Sequence, residues 1–111
     1  MSKPSQPIAL IVVADEPALF FSSVKVAEGY LEAIDVEDGV YPLAYGPSGE
    51  LYSISSDGTN VIIEPDSERA PKPEALSRLL ADVLAANGFQ ISEATPLSEL
   101  LRLCERFVDD W

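Results

Sequence analysis

Carboxylates dominate the reactive side chains of this chain, and their spacing decides what chemistry is open to it. Asp35, Glu37 and Asp38 crowd one short stretch, and Glu50 follows. Two carboxylates form the acid and base of glycoside hydrolysis, but one must hold its proton near neutral pH, which takes an apolar pocket. No aromatic pocket surrounds residues 35–38 in sequence. The favoured reading is a solvated acidic turn, and a small hydrolase working with carboxylates only is the reading it displaces. Asp35-Val36-Glu37-Asp38-Gly39 also offers oxygen ligands to calcium, yet lacks the alternating acids and distant glutamate of an EF-hand loop. Asp57-Gly58-Thr59-Asn60 is equally short of ligands, so no metal site is expected.

Other candidates fare no better. Ser22-Ser23-Val24-Lys25 matches the Ser-x-x-Lys of serine acyl enzymes, but the companion Ser-Asp-Asn and Lys-Thr-Gly motifs are absent. A helix cap followed by an exposed lysine explains it better. Cys104, the one cysteine, falls between Leu101 and Phe107 on an apolar helical stripe, where burial blunts a thiol. There is no histidine, which removes the commonest general base and metal ligand together. No phosphate loop or dinucleotide fingerprint is present. The expectation is a protein without catalytic residues and without a cofactor.

Charge carries the stronger signal. Twelve of the nineteen acids lie between Asp15 and Glu68 against one base, Lys25, so this stretch holds −11 of the net −12. Such a field repels nucleic acid and anionic membrane and attracts a basic partner. With 47% hydrophobic and 23% charged residues in 111, the chain is expected to fold as one domain. At this size roughly 60–70% of the unfolded surface is buried without staples. A lone cysteine and an apolar run, Ile8–Ala14, too short for a bilayer favour a cytoplasmic location. Asp15-Glu16-Pro17 is a poor signal-cleavage context.

The elements that must position these groups follow from periodicity. Residues 1–7 read as a flexible tail, Ile8–Ala14 as a strand buried on both faces, and Ala18–Phe21 as its extension or a strand of its own. Ser22 or Ser23 caps a helix over Ser23–Ile34, with Val24, Ala27, Leu31 and Ile34 as its apolar stripe. Val40–Tyr45, Leu51–Ser55 and Thr59–Glu64 form a meander, with turns at 46–50 and at Ser56-Asp57-Gly58. Pro42 marks the first of these as an edge or bulged strand. Residues 65–73 are a proline-rich connector. Helices then span Pro73–Asn87 and Pro96–Asp109, the latter capped by Thr95, with Leu97, Leu100, Leu101, Cys104, Phe107, Val108 and Trp111 on its apolar face. Phe89–Ser92 is a linker or short strand. The predicted core is Leu10, Val12, Ala27, Leu31, Leu51, Ile62, Leu80, Leu84, Leu100, Cys104 and Phe107. The whole is an α+β fold, an antiparallel β-meander packed with about three helices in a single domain.

Tyr41 and Tyr45 share parity on one predicted strand, and a hairpin centred on 46–50 brings Tyr52 beside them. Such rings either anchor a binding surface or cover the sheet beneath a helix. The run 24–41, VKVAEGYLEAIDVEDGVY, and its continuation 44–52, AYGPSGELY, resemble small acidic bacterial proteins, mostly uncharacterised. The resemblance covers about residues 20–55. Some proteins of this build resemble the immunity proteins of bacterial toxin systems, which bind and neutralise a basic nuclease or similar toxin. The resemblance implies such a partner and no catalytic residue. The expected contact surface is Asp35, Glu37, Asp38, Glu50 and Asp57 with Tyr41, Tyr45 and Tyr52. A self-associating assembly module, for instance a homodimer through an open strand edge or the last helix, is the alternative.

Overall fold

The computed structural model describes residues 7–15 and 17–108. The expected N-terminal tail, apart from Pro7, lies outside the described residues, as do Asp109 and Trp111 of the predicted last helix. Five strands form one antiparallel sheet: β1 (Leu10–Val13), β2 (Ala18–Phe21), β3 (Ala44–Tyr45), β4 (Leu51–Ser56) and β5 (Val61–Pro65), in the order β2-β1-β3-β4-β5. Four α-helices accompany them: α1 (Val24–Tyr30), α2 (Ala33–Glu37), α3 (Pro73–Ala86) and α4 (Leu97–Cys104), the last running into a 3₁₀ turn at Glu105–Phe107. The α+β class and the meander β3-β4-β5 are as the sequence predicts.

Strand alternation divides the core in two. Leu10, Val12, Phe21, Ala44, Val61 and Ile63 face α1, where Ala27 and Leu31 meet them. Ile11, Phe20, Tyr45 and Leu51 point to the opposite side, under Leu76, Leu80 and Leu84 of α3 and Leu100 and Cys104 of α4. Apolar β1 is thus buried on both faces because helices cover both. Glu28 of α1 reaches the outer edge of β5, while Tyr30, two residues on, lines a cleft at the outer edge of β2. The sheet therefore curls around this short helix.

Several expectations are corrected. The helix over Ser23–Ile34 is two helices. Ser23 caps α1, its Oγ accepting the Val26 N–H at 3.0 Å, but Leu31 and Glu32 are extended and α2 starts afresh. Gly29 weakens the last turn of α1. The break turns Leu31 into the core, 5% exposed, and leaves Ile34 64% exposed. Val40–Tyr45 shrinks to the two-residue β3, which is central rather than an edge. Pro42 precedes the paired segment, so its missing N–H interrupts no ladder bond. Ile62 is only partly buried, on the other side of β5 from buried Val61 and Ile63. Phe107 is also half-buried, its ring 5.9 Å from that of Phe20. Thr95 does not cap α4; Pro96 holds that position without a side-chain bond, and Phe89–Ser92 is no strand.

The β3–β4 turn is pinned to the connector. Gly49 has φ +90°, and its carbonyl accepts the Lys72 N–H at 2.8 Å. A Cβ there would lie 2.5 Å from the Pro73 nitrogen, so only glycine lets the connector dock this closely.

Candidate interaction surface

The structure places Asp35, Glu37, Asp38 and Asp57 around one corner, packs Tyr41 and Tyr52 on the same side of the sheet as α2, and sets Tyr45 and Glu50 elsewhere. Asp35, Glu37 and Asp38 end α2, which packs on β4. The Ser56 hydroxyl donates to Glu37 Oε2 at 3.2 Å and ties α2 to the β4–β5 turn. Asp57, the next residue, stands beside this helix end. Its Oδ1 accepts the Asn60 N–H at 2.7 Å and the Thr59 N–H at 3.0 Å, and these two bonds, that of Asn60 first, hold its carboxyl below the usual range. Glu37, Asp38 and Asp57 are exposed and Asp35 is partly so.

Glu50 sits at the other end of β4, about 23 Å from Asp57 along an extended strand. There it accepts the Ser48 N–H at 2.7 Å and braces the β3–β4 turn. The tyrosines do not form one patch. Tyr45 is 8% exposed and packs on the α3/α4 side. Tyr41 and Tyr52 are half-buried on the α1/α2 side. The shared parity fails because Tyr41 lies outside β3. These rings cover the sheet, and Tyr45 does not reach a surface.

The exposed apolar residues are others: Val26 at 39%, Tyr30 at 55% and Ile34 at 64%. Their signal was in the sequence: residues 24–34 carry more apolar side chains than one helical face can bury. Tyr30 rests its ring 5.3 Å from that of Phe21. Together with β2, Val83, Asn87 and Phe107 it lines a cleft of about 220 Å³. No acid lines this cleft among the described residues.

The remaining chemistry is sparse. Among the described residues no three Asp, Glu, Cys or His side chains come together as a metal set, and no helix is long and apolar enough to cross a membrane. Cys104 is buried, and desolvation pushes its thiol up to about 12 against a smaller opposing pull from Arg106. The one ion pair among the described residues joins Arg102 to Glu99 on α4. No family model, no curated protein and no solved structure matches the chain.

Proposed function

We propose that this chain is a non-catalytic binding module that masks a basic protein partner, in the manner of a toxin-neutralising immunity protein in a bacterial cytoplasm. The observation that carries this reading is the convergence of Asp35, Glu37, Asp38 and Asp57 where α2 meets the β4–β5 turn. No lysine or arginine pairs with any of them among the described residues. Five of the seven bases follow residue 68, in the connector, α3, α4 and the 3₁₀ turn. Lys25 is the exception: it lines a cleft with Thr59 and Asn60 of this turn, yet the four acids outnumber it, so the net field falls to an outside partner. Exposed acids steer encounter and reject wrong partners more than they add affinity. Tyr41 and Tyr52 support the sheet behind the acids, and Glu50 is a turn brace.

The test is charge reversal of Asp35, Glu37 and Asp38 to lysine, with stopped-flow association against a basic partner captured from the native cell. The native association rate should fall about tenfold or more as salt rises from low to physiological strength. The reversed variant should associate slowly at every salt. Equal rates and equal salt dependence for the two proteins would sink the proposal.

A further inference from the structure

One reactive motif lies apart from the acidic corner. Asn87-Gly88 is the single Asn-Gly pair of the sequence, and it closes α3. Such a pair can modify itself without an enzyme, because glycine has no Cβ to shield its amide nitrogen from the neighbouring carboxamide. A bond forms between Gly88 N and Asn87 Cγ, the Cγ–Nδ2 bond breaks, and Nδ2 leaves as ammonia with the proton of the Gly88 amide. Water then opens the five-membered imide. Cleavage at Cγ gives aspartate at position 87, and cleavage at the backbone carbonyl gives isoaspartate.

The cap of α3 holds the reacting groups apart. Asn87 Nδ2 donates to the Val83 carbonyl at 2.8 Å, and the Gly88 N–H to the Ala85 carbonyl at 3.1 Å. Asn87 keeps a ψ of 16°, whereas ring closure needs Cβ and the Gly88 nitrogen eclipsed about the Cα–C bond. Gly88, at φ +87°, turns the chain so that the Phe89 N–H returns to the Leu84 carbonyl at 3.0 Å. Packing adds nothing to this restraint. Asn87 is exposed, and nothing lies within 4 Å of a Cβ built at Gly88. Water therefore reaches the site, and the cap alone keeps it unreacted.

We propose that Asn87-Gly88 is a deamidation site latched by the C-terminal cap of α3, shut while the cap holds and open when this helix end frays. Two hydrogen bonds of ordinary strength correspond to a retardation of about fivefold to a hundredfold. The reaction also changes the cap. It removes the donor to Val83 and sets a carboxylate against the carbonyl end of α3. Isoaspartate further lengthens the main chain where it brings Phe89 back to Leu84, and the Arg106 guanidinium lies over the Phe89 ring, 4.8 Å from its centroid. Deamidation thus loosens the junction of α3 with the 3₁₀ turn and puts an acid into the cleft that Asn87 lines. Opening exposes the pair to reaction, and reaction favours opening, so the latch does not reset.

The test incubates the full chain at mildly alkaline pH, native and in guanidinium chloride, and follows aspartate and isoaspartate at position 87 by peptide mapping and mass spectrometry. The native chain should react about fivefold to a hundredfold more slowly than the denatured one. In denaturant, Gly88→Ala should slow the reaction about tenfold, because its methyl hinders the attacking nitrogen, and this arm needs no folded variant. Folded Asn87→Asp should exchange the amide hydrogens of residues 88 and 89 about tenfold faster than the native chain. Equal rates in the native and denatured chains would show that the cap holds nothing shut. No product at position 87 in denaturant, or a rate indifferent to Gly88→Ala, would remove the site itself. Unchanged exchange in Asn87→Asp would overturn the loosening.

Discussion

Replacing Gly49 by alanine tests whether the β3–β4 turn and the connector are locked together. Two costs add at this position. With φ at +90°, an L-residue loses about 1–2 kcal/mol relative to glycine. The new Cβ would also lie 2.5 Å from Pro73 N, 2.6 Å from Pro73 Cα and 2.9 Å from the Lys72 carbonyl carbon. All three are backbone atoms, so no side chain can swing aside. Relief requires moving the start of α3 by nearly an ångström, an overpacking strain of about 1–3 kcal/mol. The expected total is about 2–5 kcal/mol. Gly58→Ala is the control: its φ is +95°, but nothing lies within 4 Å of its Cβ, so only the conformational cost of about 1–2 kcal/mol applies. Urea unfolding of both variants, with slopes compared to confirm a common denatured state, gives the difference. If Gly49→Ala costs no more than Gly58→Ala, the connector does not bear on this turn as described.

Leu100→Ala should cost about 2–5 kcal/mol in the same assay, because a 2%-exposed side chain between α3 and α4 leaves a cavity; a loss under about 0.5 kcal/mol would contradict its place in the core. Glu28→Ala strips the acceptor from the Ile63 N–H and should destabilise by about 1–3 kcal/mol, with hydrogen exchange quickened at Ile63 first, whereas Glu28→Gln keeps an acceptor and most of the protection. The Cys104 thiol is raised in the fold, so its contribution is intact below the ordinary thiol value of 9.0 and disappears as pH climbs toward about 12. Urea midpoints of the native chain should therefore fall more steeply in that window than those of Cys104→Ala, and parallel curves would refute the burial argument.

Elements with one dominant signal were legible in the sequence. Ser23 as a cap, Pro73 opening α3, Asn87-Gly88 closing it, and the Asp57-Gly58 turn are local decisions made by side chains a few residues apart. The β-branched run at β1 announced burial on both faces. What escaped depended on partners distant in sequence. The stripe Val24, Ala27, Leu31, Ile34 fits one helix, and the demand that Leu31 enter the curled sheet, with Gly29 weakening the turn before it, breaks it after Tyr30. Tyr41 and Tyr45 alternate correctly for a strand, but the ladder begins at Ala44, so parity says nothing about Tyr41. Of the expected contact surface, the acids of α2 and Asp57 could be grouped by their turns. Glu50 was separable from Asp57 in the sequence, because the predicted strand Leu51–Ser55 already puts them at opposite ends. The cleft at β2 was invisible because it joins an early strand to Val83 and Phe107.

The strand order has a consequence for synthesis. The β1–β2 hairpin is complete once Phe21 has left the ribosome, β3 then joins β1, and β4 and β5 each add to the strand made just before. A nascent chain halted ahead of Pro73 can therefore assemble every strand, and α1 and α2 shield one side. The other side, with Ile11, Phe20, Tyr45 and Leu51, has no cover until α3 and α4 arrive. The synthesis of α3 and α4 is thus an interval in which a finished sheet stands half naked. It is then that chaperones have a surface to hold, and that a truncated product would be sticky.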